Sequence, residues 1–135
     1  MLRTFLFSLV LLAAGGCDTD GIDPTYTGPD SYAYTLTQSC FCVYSGPLRI
    51  TVADGDIVSV VALSDPQGTP QDQIEALGKT LPELTALAER AEEEADEVTA
   101  TYDPTYGFPT RLDIDWIREA VDDEVTFTAT DFEAR

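Results

Sequence analysis

The segment Tyr32-Ala33-Tyr34-Thr35-Leu36 alternates with Tyr32, Tyr34 and Leu36 on one face, the period of a half-buried strand. Two apolar runs follow, Leu48–Val52 and Ile57–Leu63, separated by Ala53-Asp54-Gly55-Asp56. Asp-Gly between such runs predicts a hairpin, because both turn residues take positive φ. The run Ile57–Leu63 is apolar on both faces for part of its length, which predicts a central strand covered by a helix on at least one side.

After Pro66-Gln67-Gly68 the period lengthens. Ile74, Leu77, Leu81, Leu84, Ala88, Ala91 and Ala95 follow a 3-4 spacing, and Leu87 widens the stripe. Gly78 reads as a C-terminal cap, and Thr80-Leu81-Pro82-Glu83 as a capping box with Pro in the first turn. A short helix near 71–77 and a longer one near 81–95 are therefore expected. Glu92-Glu93-Glu94 stands near the end of the second, where the helix dipole disfavours anions at a small local cost. Three alternating segments complete the pattern: Glu97–Tyr102, Thr110–Trp116 and Glu124–Thr130. The predicted fold is α+β, a mostly antiparallel sheet of about six strands in the order βββ-α-βββ with one main helix packed on it, forming one domain over residues 31–135.

The first sixteen residues do not belong to that pattern. Arg3 is their only charge, and Phe5–Ala14 is an apolar run that fits a secretory leader and falls short of a membrane-spanning helix. Ala14-Gly15-Gly16-Cys17 resembles a bacterial lipobox, in which cleavage precedes a cysteine that then carries acyl chains; Ala14 stands where that pattern most often has Leu. Ordinary leader cleavage at the same bond is the alternative, and it would leave Cys17 as a free thiol. Residues 17–30, rich in Asp, Thr, Gly and Pro, read as a flexible tether.

Composition narrows the chemistry. The chain of 135 residues carries 25 Asp+Glu against 7 Lys+Arg and no His, a formal net charge of -18. Such acidity disfavours nucleic acid and anionic lipid as electrostatic partners. Without His, neither Ser-His nor Cys-His catalysis nor a His-ligated metal is available. No cofactor is implied.

Three motifs resemble an uncharacterised family of small bacterial lipoproteins: Cys40-Phe41-Cys42, Tyr102-Asp103-Pro104-Thr105-Tyr106-Gly107-Phe108-Pro109, and Asp122-Asp123-Glu124. Gln38-Ser39 departs from that family, whose members often carry a basic residue there. The resemblance implies an envelope lipoprotein domain and brings no activity with it.

Each motif has two readings. Cys40 and Cys42 lie about 6.6 Å apart if the strand stays flat, so a disulfide between them needs a local turn. The pair is a labile redox or sensing centre or a static staple; no histidine can lower a thiol pKa, and Arg49 is the nearest cation in sequence. The loop of Tyr102, Asp103, Tyr106 and Phe108 is stiffened by Pro and Gly. Its aromatics either stack on a sugar, peptide or protein, or fold back onto the sheet. Asp122, Asp123 and Glu124 are weak cation candidates beside the plainer reading of a solvated turn paired with Arg111 or Arg118. Asp54/Asp56 belong to the hairpin turn and Asp113/Asp115 to the wet face of a strand.

The expectation is a non-enzymatic lipoprotein of the bacterial cell envelope, attached to the bilayer through acylated Cys17. It would bind or support an envelope protein or cell-wall component through the Tyr106/Phe108 loop. The alternative is a thiol–disulfide or redox-sensing protein using Cys40 and Cys42.

Overall fold

The structure, a computed structural model, describes residues 25–135. The expected leader, Cys17 and the expected tether up to residue 24 lie outside the described residues. Six strands and two helices follow in the order β1 (Tyr32–Cys40), β2 (Gly46–Ala53), β3 (Asp56–Ala62), α1 (Gln71–Ala76), α2 (Leu81–Glu94), β4 (Glu97–Tyr102), β5 (Pro109–Asp115) and β6 (Glu124–Ala134). The strands form one sheet, ordered β3-β2-β1-β6-β5-β4, with every neighbouring pair antiparallel. It consists of two three-strand meanders joined through the first and last strands.

Local chemistry explains much of this. Asp54 and Gly55 take φ of 51° and 85°, closing the β2–β3 hairpin. At the start of α2, Glu83 N–H donates to Thr80 Oγ1 (3.2 Å) and Thr80 N–H donates to Glu83 Oε2 (2.7 Å), a complete capping box. One face of the sheet is apolar: Tyr32, Tyr34, Leu36, Leu48, Ile50, Val52, Leu112, Ile114, Phe127 and Ala129 are all buried. The other face is rich in threonine, with Thr35, Thr37, Thr126, Thr128 and Thr130 aligned across β1 and β6.

A single main helix does not cover the apolar face. Helix α1 packs on β3, and α2 packs on β4 and β5, burying Leu81, Leu84, Thr85, Ala88 and Ala91. Between them the linker is held from below by two tyrosines. Tyr34 Oη donates to Lys79 O (2.6 Å), and Leu81 N–H donates to Tyr32 Oη (2.8 Å). Burial pushes the Tyr34 phenol well above its ordinary pKa, and it does the same, less strongly, to Tyr32.

The expectation that Ile57–Leu63 is a central strand is corrected: β3 is an edge, paired only with β2. Its hairpin fixes one neighbour, and no later strand reaches its other flank. Val58, Val61 and Leu63 are consequently exposed although the run is apolar on both sides. Gln71 Nε2 donates to Val60 O (3.1 Å), capping one group of the open edge. Gly78 has a different role from the expected cap. It does not take a positive φ, and the α1 C-cap is Leu77. A Cβ at position 78 would stand 2.7 Å from Val60 Cγ2, so Gly there lets the linker lie against β3.

The domain begins ahead of Ser31. Tyr26 packs on Tyr32 with ring centroids 5.8 Å apart. Thr27 N–H donates to Tyr106 O, and Gly55 N–H donates to Asp30 O. Turn-forming composition marks residues 25–30 as irregular, but Thr27 and Asp30 tie the segment to the β4–β5 loop and the β2–β3 turn. Among the described residues no helix is long and apolar enough to cross a membrane.

Candidate functional site

The register places the motifs at opposite ends of the sheet. Cys40 faces Val125 and Asp115 faces Glu124, so the β1–β2 and β5–β6 loops share one end. Tyr32 faces both Val52 and Ala134, and Tyr102 faces Pro109. The other end therefore gathers the entering chain, the β2–β3 turn, the β4–β5 loop and the C-terminus.

At the first end, β1 stops at Cys40 and the chain bends, bringing the Cys40 and Cys42 Cα atoms to 5.3 Å with their sulfurs bonded. The bend is the local turn that this spacing requires. Gln38, about nine-tenths buried, directs its side-chain amide at the pair: Nε2 lies 3.0 Å from Cys40 Sγ and 3.4 Å from Cys42 Sγ. Cys42 Sγ also lies 2.9 Å from Tyr44 O. Tyr44 anchors the loop, since its ring is buried and its hydroxyl reaches Pro47 O (2.9 Å) and Ser64 O (3.2 Å). Cys42 itself is exposed, and beside it Phe41 and Val43 are 83% and 71% exposed. Arg49 is engaged elsewhere, with Asp131 O and Glu133 on the threonine face. Lys79 stands over this part of the apolar face, its Nζ 5.9 Å from the centroid of Phe127, the residue opposite Gln38.

The β4–β5 loop is built inward. Asp103 Oδ1 accepts from Thr105 N–H (2.9 Å) and Tyr106 N–H (2.7 Å), while Asp103 N–H donates to Phe108 O (2.8 Å). Gly107 has φ of 77°, and a Cβ there would meet Thr25 O at 2.6 Å, so two constraints select glycine. Phe108 is 3% exposed and its ring packs on Phe132 at 5.4 Å; Tyr106 packs on the same ring at 5.2 Å. Phe108 therefore supplies no stacking surface: its ring is used up in the core. Phe132 reaches this cluster through a register shift opposite Tyr34, where Asp131 takes φ of 52°. The extra residue flips Phe132 to the apolar face. Tyr102 is half-buried, and its phenol is raised by burial and by Glu92, whose Oε1 lies 3.5 Å away.

The acidic turn shows no grouping for a cation. Asp123 Oδ2 accepts from Ile117 N–H (2.6 Å), closing the loop, and Asp122 takes φ of 85°. Neither expected arginine serves it: Arg111 pairs with Asp113, and Arg118 binds Asp96. Among the described residues no three or more His, Cys, Asp or Glu side chains are grouped to hold a metal. Asp113 is lowered below the usual carboxylate range, first by Arg111 (2.7 and 2.8 Å) and then by Thr126 (2.6 Å).

A family model described as a family of unknown function (DUF6174) matches residues 25–134, nearly all of the described domain. The chain belongs to that family. Its match begins where Tyr26 starts to pack, so the DUF6174 unit includes the segment ahead of Ser31. Neither a curated protein nor a solved structure gives a significant match.

Proposed function

We propose that this DUF6174 chain is a lipoprotein of the bacterial cell envelope, held to the bilayer by acyl chains on Cys17. In this reading it is a non-enzymatic module that binds or supports another envelope protein or a cell-wall component. The observation that carries the reading is the polarity of the sheet. The chain enters at one end, and exposed apolar side chains (Phe41, Val43, Ile117 and Val121) occupy the loops at the other. The nine residues of β1 separate those ends by about 30 Å. A lipid-held N-terminus would turn the apolar loops away from the bilayer, and clustered exposed apolar residues mark contact sites. The acidic surface would meanwhile keep the domain off anionic lipid.

A photo-reactive residue at position 41 or 121 should capture one discrete partner in cells, while the same residue at Thr101 on the threonine face should not. Absence of any adduct from the apolar loops overturns the binding reading. Mass spectrometry of the mature N-terminus tests the anchor separately, and an unmodified Cys17 removes it. A second reading, a redox-active Cys40/Cys42 pair, is favoured by one further observation, the buried Gln38 amide aimed at both sulfurs.

A further inference from the structure

We propose that the Cys40–Cys42 disulfide exchanges with thiols in one direction, with Cys42 as the attacked sulfur and Cys40 as the leaving thiolate held by the Gln38 amide. The proposal rests on the redox reading above and adds an order of events and a positioning residue to it.

Access selects the attacked sulfur. Cys42 is exposed in the bend, whereas Cys40 ends β1, is half-buried and is paired across to Val125. Phe41 and Val43 flank the exposed sulfur and offer an apolar contact to a protein thiol. Leaving-group stability selects the other. Exchange is faster when the departing sulfur is stabilised as a thiolate. A side-chain amide carries two N–H donors and Gln38 Nε2 is 3.0 Å from Cys40 Sγ, so one donor already faces the atom on which charge develops. Gln38 is held by its place in β1, opposite Gly46 on one side and Phe127 on the other. Lys79 above Phe127 adds positive charge to the same face. The reduced form is prepared as well: Tyr44 O, 2.9 Å from Cys42 Sγ, accepts the S–H that Cys42 carries once released.

The step balances as follows. A thiolate from a thiol of the envelope forms a bond to Cys42 Sγ, the Cys40–Cys42 bond breaks, and its electron pair leaves on Cys40 Sγ. A second thiolate attacks the donor sulfur of the mixed disulfide and releases Cys42. Two donor thiols become one disulfide, and the pair takes up two electrons and two protons.

The test uses the full chain with Cys17→Ser, so that only the pair reports, incubated oxidised with reduced glutathione. After acid quenching and alkylation with N-ethylmaleimide, peptide mass spectrometry should find glutathione on Cys42 and the alkyl group on Cys40. Gln38→Met keeps the side chain's length and neutrality and removes its donors, and should slow reduction about tenfold, the effect of losing one hydrogen bond to a charged group. In a Cys42→Ser background the same change should raise the midpoint of the Cys40 thiolate absorbance by about one pH unit, which a purely structural role would not do. Glutathione on Cys40, or an unchanged rate in folded Gln38→Met, overturns the assignment and leaves the redox reading standing. No reduction by glutathione at all overturns both.

Discussion

Replacing Phe108 with Ala removes a ring that is 3% exposed and packs against Phe132 at 5.4 Å. Truncating a buried phenylalanine costs about 3–5 kcal/mol, the transfer of the ring plus the cavity left behind. The site resists collapse, because Gly107 is pinned against Thr25 and Asp103 ties the loop through its carboxylate, so a value of at least ~3 kcal/mol is expected. Tyr106→Ala is the internal control. Its ring is half-buried and makes one aromatic pair, with Phe132 at 5.2 Å, so about 1–2 kcal/mol should be lost. The sole tryptophan, Trp116, is half-buried with the Arg90 guanidinium 5.5 Å from its ring centroid, so its fluorescence reports urea unfolding. With a slope of roughly 1.5 kcal/mol per molar urea, Phe108→Ala should lower the midpoint by roughly 2 M at unchanged slope. A loss below about 1 kcal/mol would refute the assignment of Phe108 to the core and return it to the surface as a contact residue.

Other outcomes follow from the same contacts. Tyr34→Phe deprives Lys79 O of its donor and should cost about 1 kcal/mol in the same titration. Alkaline pH should destabilise the fold: with the Tyr34 and Tyr32 phenols raised, the unfolded chain loses protons that the folded one keeps, so stability falls as pH rises past about 10. Ultraviolet titration should then show both phenols ionising above the range of a free tyrosine, Tyr34 the later of the two. Asp113 acts in the opposite range; its depressed carboxyl stabilises the fold above the unfolded carboxylate pKa, and that contribution is lost as pH falls through the folded value. Asp113→Asn should flatten the acid limb of a melting-temperature profile. Gly107→Ala, strained by its positive φ, should cost about 1–2 kcal/mol and expose residues 25–30 to proteolysis.

Features encoded within a few residues were legible. The Asp54-Gly55 turn, the Thr80/Glu83 capping box and the break between the two helices are short-range statements, and each stands in the structure. Which strand lies beside which is not short-range. The apolar run of β3 resembles a buried strand, and only the pairing of β1 with β6 makes it an edge. Phe132 sits past the end of the predicted last strand, and a single extra residue at Asp131 decides its face. Gln38 departs from the family pattern in sequence, and its place beside the disulfide is visible only once the bend brings both sulfurs under its amide. Tyr44 carries no periodic signal, since Val43 and Ser45 beside it are exposed, and its anchoring role shows only in its bonds to Pro47 O and Ser64 O.

The joining of β1 to β6 at the middle of the sheet has a consequence for how the chain acquires its structure. Each meander is local and can begin to pair early, but the apolar face becomes continuous only when β6 pairs with both β1 and β5. A chain stopped after β5 would leave β1 and β5 each with one unpaired side, in addition to the β3 and β4 edges that the finished sheet keeps. Completion therefore waits on β6, so a chain under synthesis has no finished core until Glu124–Ala134 are free to pair.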